Sequence, residues 1–455
     1  MLFLQHQQRW YMKKEKPFRI ALATLGCKVN YCDSAAMGES LIHGGFEIVP
    51  PAGMADAYII NTCTVTEKTD AQSRQLIRRA LKANPSAPVI VTGCYAQHAA
   101  DAIATISDRI HILGNPDKTA IGSYVKKILE ERKRIFIVTD SGSETSFTTA
   151  ALPRFSDRTR AFLKIQDGCN NSCSYCIVPR VRGPGRSLSC AEVLQHSTVL
   201  AQSGYREIVL TGIHLGAYGS DLNPPVTLFD LLKSLTADKN LATMRIRLSS
   251  VEPQEISDEL IAFLSRTEKV CPHLHIPLQS GDETVLKKMN RNYTPSFFKA
   301  LVEKLLSAIP AVNVGIDVIA GFPGETEAQF QNTLCFIQDL PIGYLHVFPY
   351  SRRPGTPAAA WSDQVPEKIK KERTAMLREE SLKKKVRFYS SFLQQTLQVL
   401  IEAKRDRDSG LLKGFSRNYI PVLVAGGDEL MGKEIPVRVA EVRENGVYAE
   451  RVRGL

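Results

Sequence analysis

Short apolar runs alternate with amphipathic stretches along most of the chain. RIALATLG (19–26), AYIINTC (57–63) and PVIVTGC (88–94) read as strands, and SAAMGESLIHGG and TDAQSRQLIRRALKA after the first two carry helical spacing. Strand and helix in alternation indicate βαβ units and an open parallel sheet. A second series runs through AFLKIQ (161–166), REIVLTGI (206–213), MRIRLSS (244–250), HLHIPLQ (273–279), VNVGIDVIAG (312–321) and GYLHVFPY (343–350). Helical stretches such as CAEVLQHSTVLAQSG, PQEISDELIAFLSRT and PSFFKALVEKLLSAI lie between them. Six βα repeats predict a barrel or partial barrel with its active site at the strand C-termini. The pattern then changes. TLQVLIEA (396–403), NYIPVLVA (418–425), EIPVRVAEV (434–442) and GVYAERV (446–452) are β-rich runs broken by Gly and Asp, which predict a small antiparallel, OB-like barrel.

The expected division is therefore a disordered extension (1–16), an open parallel α/β sheet domain (17–135), a linker rich in Ser, Thr, Pro and Asp (136–158), a partial (βα)6 barrel ending in a basic helix (159–390), and a small all-β barrel (391–455). Met12 offers a second plausible start, which makes residues 1–11 dispensable in this reading.

Length and composition fit that division. The 455 residues suggest roughly three domains, and 44% hydrophobic with 23% charged residues is ordinary for a globular chain. No apolar run approaches the roughly 18 residues that span a bilayer. The first residues lack the apolar core and cleavage site of a secretory signal, so the expectation is a cytoplasmic protein with no membrane segment. Disulfides are rare there, which turns the ten cysteines toward metal binding or catalysis. Net charge is +11, most concentrated over 364–395, in the predicted helix KIKKERTAMLREESLKKKVRF. Such a helix is either a solvated face or a phosphate-binding surface.

The densest chemistry is DGCNNSCSYCIVPR, where Cys169, Cys173 and Cys176 stand as C-x3-C-x2-C. Three soft thiolates on one short loop suit an iron–sulfur cluster and leave one iron open. The alternative is a zinc loop completed by a distant ligand. Cys27, Cys63 and Cys94 each end a predicted strand of the first series. Each alone reads as a buried core thiol. Together, at the carboxyl edge of one parallel sheet, they form a second candidate three-thiolate site.

The cysteine loop resembles the radical-SAM signature. TLGCKVN, IINTCTV and VTGCYAQ resemble the N-terminal domain of the methylthiotransferase family. The resemblance continues through LTGIHLGAYG (210–219), RLSSVEP (247–253), LHIPLQSGDETVLKKMNR (274–291), DVIAGFPGET (317–326) and HVFPYSRRPGT (346–356), and the last barrel resembles an RNA-binding TRAM domain. KVN, TVT and YAQ after the three N-terminal cysteines resemble the branch acting on threonylcarbamoyladenosine in tRNA. Tyr31-Cys32 departs from that branch, which more often has Gln-Tyr, and leaves Cys32 as an odd thiol at no ligand position.

The resemblance implies two 4Fe-4S clusters. One is held by Cys169, Cys173 and Cys176 and binds S-adenosylmethionine. The auxiliary one is held by Cys27, Cys63 and Cys94 and carries the sulfur that is methylated and inserted. It implies a 5′-deoxyadenosyl radical and insertion of methylthio at carbon 2 of an adenosine beside the anticodon, where the C–H bond is too strong for acid–base chemistry. It also implies tRNA as substrate, an electron donor such as flavodoxin or ferredoxin, a sulfur source, and action as a monomer. Tyr175, Gly212, Ser249, Glu252, Gln279 and Gly321 are the expected cofactor contacts, with Gly216, Gly219, Ser280 and Glu325 in the same loops. For these, turn chemistry or loop packing is the alternative. Arg180, Arg182 and Arg186 stand in a stretch free of acids and are candidates for gripping phosphates or the cofactor carboxylate. His214 and His275 read as structural histidines, and Cys190, Cys271 and Cys335 as buried thiols. The alternative functions are action on isopentenyl-type adenosine or on a ribosomal-protein aspartate, or a non-enzymatic iron–sulfur RNA-binding protein.

Overall fold

The computed structural model describes residues 16–143, 147 and 159–452. In the first part, β1 (Arg19–Thr24), β2 (Glu47–Val49), β3 (Ala57–Thr62), β4 (Val89–Gly93), β5 (Ile110–Leu113) and β6 (Phe136–Ile137) form one parallel sheet in the order β2-β1-β3-β4-β5-β6. β3 and β4 are buried throughout, as a sheet covered on both faces requires. Helices Lys28–His43 and Glu67–Ala83 start at Cys27 and just beyond Cys63, so the first and third strands lead from sheet to thiol to helix. The second helix is stopped from fraying by a capping box, in which Thr66 and Thr69 satisfy each other's backbone N–H.

The sequence reading missed β2, β5, β6 and a strand at 412–416. β6 has two residues and pairs with β5, so residues 136–137 belong to the sheet and not to a linker. Residues 139–143 continue the folded body, since Thr139 binds Asp117 and the Ser141 hydroxyl donates to the Val181 carbonyl. Of the rest of the expected linker, residues 144–146 and 148–158 lie outside the described residues, as does the N-terminal extension before Lys16.

The second part begins with β7 (Arg160–Lys164). β8 (Gln166–Asp167) and β9 (Arg186–Ser187) then pair as a small antiparallel ribbon, which pinches off the loop carrying Cys169, Cys173 and Cys176. β10 (Glu207–Thr211) pairs in parallel with β7 and with β11 (Arg245–Leu248). β12 (His273–Gln279), β13 (Asn313–Ala320) and β14 (Tyr344–Pro349) form a second parallel trio. A bridge between Ser250 and His275 joins the trios into one curved wall of six strands, the expected partial barrel. Helix Lys28–His43 of the first part packs on β7, at one edge of that wall, and helix Glu367–Ser390 packs on β14 at the other.

That last helix is the basic one, and burial divides its charges. Lys370, Arg373 and Lys384 are buried: Arg373 binds Glu325 at 2.7 Å, and Lys384 donates to the Gln338 and Leu340 carbonyls. Only the opposite face, with Lys368, Lys371, Arg378, Lys383 and Arg387, is exposed to meet phosphates.

β15 (Thr396–Arg405), β16 (Leu412–Ser416), β17 (Pro421–Val424), β18 (Glu434–Arg443) and β19 (Gly446–Arg451) close into the third part, a five-stranded barrel. It is antiparallel except for the β17–β19 pair. Its attachment is ionic. Glu207, fully buried at the start of β10, binds Arg245 at 2.6 Å and Arg247 at 2.8 Å. Arg245 continues to Glu434 and the Phe415 carbonyl, and Arg247 to the Arg417 and Ser416 carbonyls. Burial opposes ionisation of Glu207, but Arg247 and Arg245 outweigh it and hold its pKa at about 2.

Candidate functional site

β1, β3 and β4 are neighbours in the first sheet, and Cys27, Cys63 and Cys94 stand immediately beyond them or within three residues of their ends. The thiols are near enough to act on one another's ionisation, with Cys63 and Cys94 buried and Cys27 at the surface. Gly93 sets the approach. Its φ is +93°, and a Cβ there would lie 2.4 Å from the Thr62 carbonyl oxygen, so only glycine lets the chain turn into Cys94 beside Cys63. Burial, then the neighbouring Cys94, pushes the Cys63 thiol up to about 12. A buried neutral thiol becomes a thiolate when a metal supplies the compensating charge.

Cys169, Cys173 and Cys176 stand together on the loop pinched off by β8 and β9, near enough for Cys173 and Cys169 to act on the Cys176 thiol. Nitrogen donors surround their sulfurs. The Asn171 backbone N–H donates to Cys169 Sγ at 3.4 Å, Arg291 to Cys173 Sγ at 3.5 Å, and His214 Nδ1 lies 3.7 Å from Cys169 Sγ. Hydrogen bonds to sulfur are a usual outer layer of a cluster site. Among the described residues every cysteine is free. Two groups of three thiols without a fourth, and with N–H donors around one of them, fit iron–sulfur clusters with one open iron each.

The two groups abut. Cys94 packs against Ile177 and Val181, and Ile177 directly follows Cys176. Asn115 donates to the Val181 carbonyl at 2.5 Å and reaches Cys94 Sγ at 3.8 Å. Beside Cys176 lies a cavity of about 250 Å³, lined by Val65 and Thr66 from the first part and Tyr175, Cys176, Gln279 and Asp317 from the second. A wider groove of about 930 Å³ runs past Arg74, His98, Arg180 and Arg352. Arg353 lines both and is fixed by Asp70 at 2.6 Å.

The expected cofactor contacts divide by position. Tyr175 and Gln279 line the cavity, Gln279 at a bulge ending β12 with φ +65°. Glu252 is ion-paired to Arg291, the residue that also donates to Cys173, so it orients the cysteine loop. The Ser249 hydroxyl is used by the Leu210 carbonyl at 2.6 Å, and Ser280 pairs with Thr333. Gly212 packs on the Gln166 side chain, whose Oε1 accepts from the His214 N–H. Gly321 has φ +73° and lies under Lys370, and its N–H donates to Glu325. Both glycines therefore admit neighbouring side chains.

Of the three arginines, Arg182 and Arg186 are buried beside Asp167 and are structural, while Arg180 is exposed in the wide groove. His214 is bound to Glu255 at 2.5 Å. Burial opposes its protonation, but bonds to Cys169 and Glu255 raise it to about 10. Cys271 is buried as expected, Cys190 is partly buried, and Cys335 is exposed. Cys32 turns away from the thiol group and donates to the Phe162 carbonyl at 3.6 Å. Sequence reasoning missed Asn115, Asp70 and Arg353, because side chains 66 to 289 positions from their partners carry no local signal.

Comparison with known proteins agrees with this geometry. Residues 19–114 match the family profile described as Uncharacterized protein family UPF0004, and residues 163–337 match the Radical SAM superfamily. The chain is 42% identical over 422 residues to the threonylcarbamoyladenosine tRNA methylthiotransferase MtaB of Bacillus subtilis (strain 168), covering 92% of this chain and 93% of that one. The chain belongs to the radical SAM tRNA methylthiotransferase family. This methylthiotransferase is 36% identical to the MtaB of Aquifex aeolicus (strain VF5), covering 92% of this chain and 100% of that one. It is 32% identical to the tRNA-2-methylthio-N(6)-dimethylallyladenosine synthase of Alkaliphilus oremlandii (strain OhILAs), covering 97% and 93%. Among solved structures, the radical S-adenosylmethionine methyltransferase TsrM of Kitasatospora setae shares the fold, with TM-score 0.57 and 15% identity over 75% of this chain and 77% of that one. Among the described residues no helix is long and apolar enough to cross a membrane.

Proposed function

We propose that this enzyme inserts a methylthio group at carbon 2 of N6-threonylcarbamoyladenosine beside the anticodon of tRNA. The observation that carries the reading is the abutment of the two thiol-bearing parts, Cys94 packing on Ile177 and Val181, beside a cavity lined by Cys176 and by Val65 and Thr66, which closely follow Cys63. Cys169, Cys173 and Cys176 hold a 4Fe-4S cluster that takes S-adenosylmethionine, and Cys27, Cys63 and Cys94 hold the auxiliary one. When bound, these groups supply the radical that activates the C–H bond and the sulfur that replaces its hydrogen.

The chain's own residues provide the setting. Tyr175 and Gln279 form the cofactor side of the cavity, and Val65 and Thr66 bring the auxiliary side against it. Apolar Ile177, Ile319 and Phe348 keep bulk water from a reactive intermediate. Arg180 and Arg352 offer the wide groove to RNA phosphates, and the β15–β19 barrel is a TRAM-like RNA-binding module. The reading includes a cytoplasmic monomer served by a flavodoxin- or ferredoxin-type electron donor and a separate sulfur source.

Mass spectrometry of tRNA nucleosides from cells lacking the protein, with and without re-expression, tests the reading. Loss and recovery of 2-methylthio-threonylcarbamoyladenosine is expected. Loss of a methylthio-dimethylallyl nucleoside instead would move the enzyme to the sister substrate. In the purified enzyme, Cys63→Ala should retain 5′-deoxyadenosine formation and lose methylthio product, and retained product would overturn the auxiliary assignment.

A further inference from the structure

Arg353 stands where the cavity beside Cys176 meets the wide groove, since it lines both. Only 4% of it is exposed. Its guanidinium is fixed at two nitrogens. Nε donates to the Arg352 carbonyl at 3.1 Å, and Nη1 donates to Asp70 Oδ2 at 2.6 Å and to the Thr64 carbonyl at 3.3 Å. Both Asp70 oxygens are taken, because Oδ1 accepts from the Thr64 hydroxyl at 2.7 Å. The Ser351 hydroxyl accepts from the Glu67 N–H at 2.9 Å, so the loop after β14 is tied to the first part on either side of Arg352. Among the described residues Arg353 Nη2 has no partner. A charged fork held this firmly, with one donor arm spare, is preorganised for an anionic oxygen.

The two hollows differ in character. Arg74, Arg180, Arg352 and Arg353 line the groove, against the acids Glu67 and Asp70. Arg180 rests on Gly355, where an added Cβ would come within 2.6 Å of its Nη1, so it belongs to the same cluster. An excess of guanidinium suits a phosphodiester chain. The cavity is mostly apolar, and Phe348, which lines it, is 40% exposed. An aromatic face open to solvent suits a stacked base. Tyr350 lines the same cavity, and its hydroxyl is buried with no hydrogen-bond partner among the described residues. An orphaned buried hydroxyl calls for a polar atom of a ligand.

We propose that Arg353 grips a backbone phosphate of the target nucleotide at the point where its base leaves the groove and enters the cavity. The inference deepens the substrate reading above and takes from it only that the substrate is a tRNA nucleotide, whatever its N6 group. Chemistry on a base requires that base to leave its stack and enter a pocket. Its phosphates stay with the backbone, so a nucleotide spanning both hollows passes their junction. Of the four arginines only Arg353 also lines the cavity. Arg180 and Arg352 are left to meet neighbouring phosphates, and Asp70 sets the direction in which the Arg353 fork points.

The test is stem–loop binding by the full-length protein without S-adenosylmethionine, with kcat/KM of the cluster-loaded enzyme as a second reading. Anticodon stem–loops carry threonylcarbamoyladenosine and a neutral methylphosphonate in place of the phosphate 5′ or 3′ to it. Wild type should bind the natural stem–loop about tenfold to a hundredfold tighter than one of these two, the range of a charge-assisted hydrogen bond. Arg353→Gln should bring that ratio close to unity, and Arg353→Lys should keep part of it. Arg353→Gln combined with Asp70→Asn removes the acid left without its partner and should give the same ratio, which keeps the test open where the single variant folds poorly. A purely structural role would weaken all stem–loops together. A wild-type ratio near unity at both phosphates, or one that Arg353→Gln leaves unchanged, therefore overturns the inference. So does a variant that instead loses discrimination between the threonylcarbamoyl acid and its carboxamide, which would make Arg353 the receptor of the N6 carboxylate. Turnover of a dimethylallyl stem–loop and not of the threonylcarbamoyl one overturns the substrate reading, and the phosphate ratio on that stem–loop then decides the role of Arg353 separately.

Discussion

Arg182 and Asp33 meet at 3.1 Å in a fully buried contact, although 149 positions separate them. Asp33 belongs to the helix that begins after Cys27, and Arg182 ends the short helix Val178–Arg182 that follows Cys176. Asp33 also binds Lys118 and Lys164 at 2.5 Å each, and Arg182 also binds Asp167 and Asn30. This network locks the two thiol-bearing parts in one arrangement. Asp33→Asn would leave three buried cations with Asp167 as their remaining acid. Breaking a buried network of this kind costs about 3–5 kcal/mol. A lower melting temperature is expected. Unchanged melting would show that Asp167 suffices.

Gly93→Ala should act on one thiol group alone. The added Cβ meets the Thr62 carbonyl, and a non-glycine residue at φ +93° costs on the order of 1–3 kcal/mol. Cys94 and Cys63 would be displaced relative to one another. On the proposed cluster assignment, the expected result is loss of iron from the Cys27, Cys63 and Cys94 site with retention at the Cys169, Cys173 and Cys176 site, read by iron analysis and Mössbauer spectra.

Glu207→Gln should loosen the small barrel from the six-stranded wall. Arg245 and Arg247 would stay buried without their acid, at a cost of roughly 3–5 kcal/mol. In the wild type the Glu207 pKa falls from its ordinary 4.5 to about 2, so its stabilisation is full above pH 4.5 and lost as pH falls through 2. The variant should melt earlier at pH 7 and lose less than wild type on acidification. Deleting residues 396–455 would uncover the same arginines, so weak RNA binding by a truncated chain would not by itself identify the RNA-binding surface. Point changes at exposed Arg407 or Arg438 are the better probes, each expected to reduce the salt dependence of tRNA affinity by about one phosphate contact.

His111 should give the first sheet an acid limb. Burial, with Arg134 nearby, lowers its pKa to about 4, and its Nδ1 accepts from the Ile135 N–H at 3.1 Å, which requires the neutral ring. The unfolded chain takes up the proton first as pH falls below 6.5. Stability is therefore full above pH 6.5 and declines by up to ~3 kcal/mol toward pH 4. His111→Gln should flatten that decline, measured as the shift in melting temperature between pH 7 and pH 4.5.

Much of this molecule is determined by local sequence. A strand such as AYIINT needs only its apolar run, and the C-x3-C-x2-C loop only its spacing, because both depend on neighbours within a few residues. That Cys27, Cys63 and Cys94 share an edge follows from alternating strand and helix, which forces parallel strands to end on the same side. The two-residue β6 could not be read, since its stability comes from pairing with β5. Only the tertiary structure decided the fate of the charges. Arg182 looked like a phosphate ligand in a loop without acids, and Lys370, Arg373 and Lys384 like a solvated basic face. Distant partners at Asp33, Asp167, Glu325 and backbone carbonyls turned them into buried ties. Local pattern sets where the chain is strand, helix or thiol loop. Whether a charge is solvated or paired depends on which remote surface folds against it.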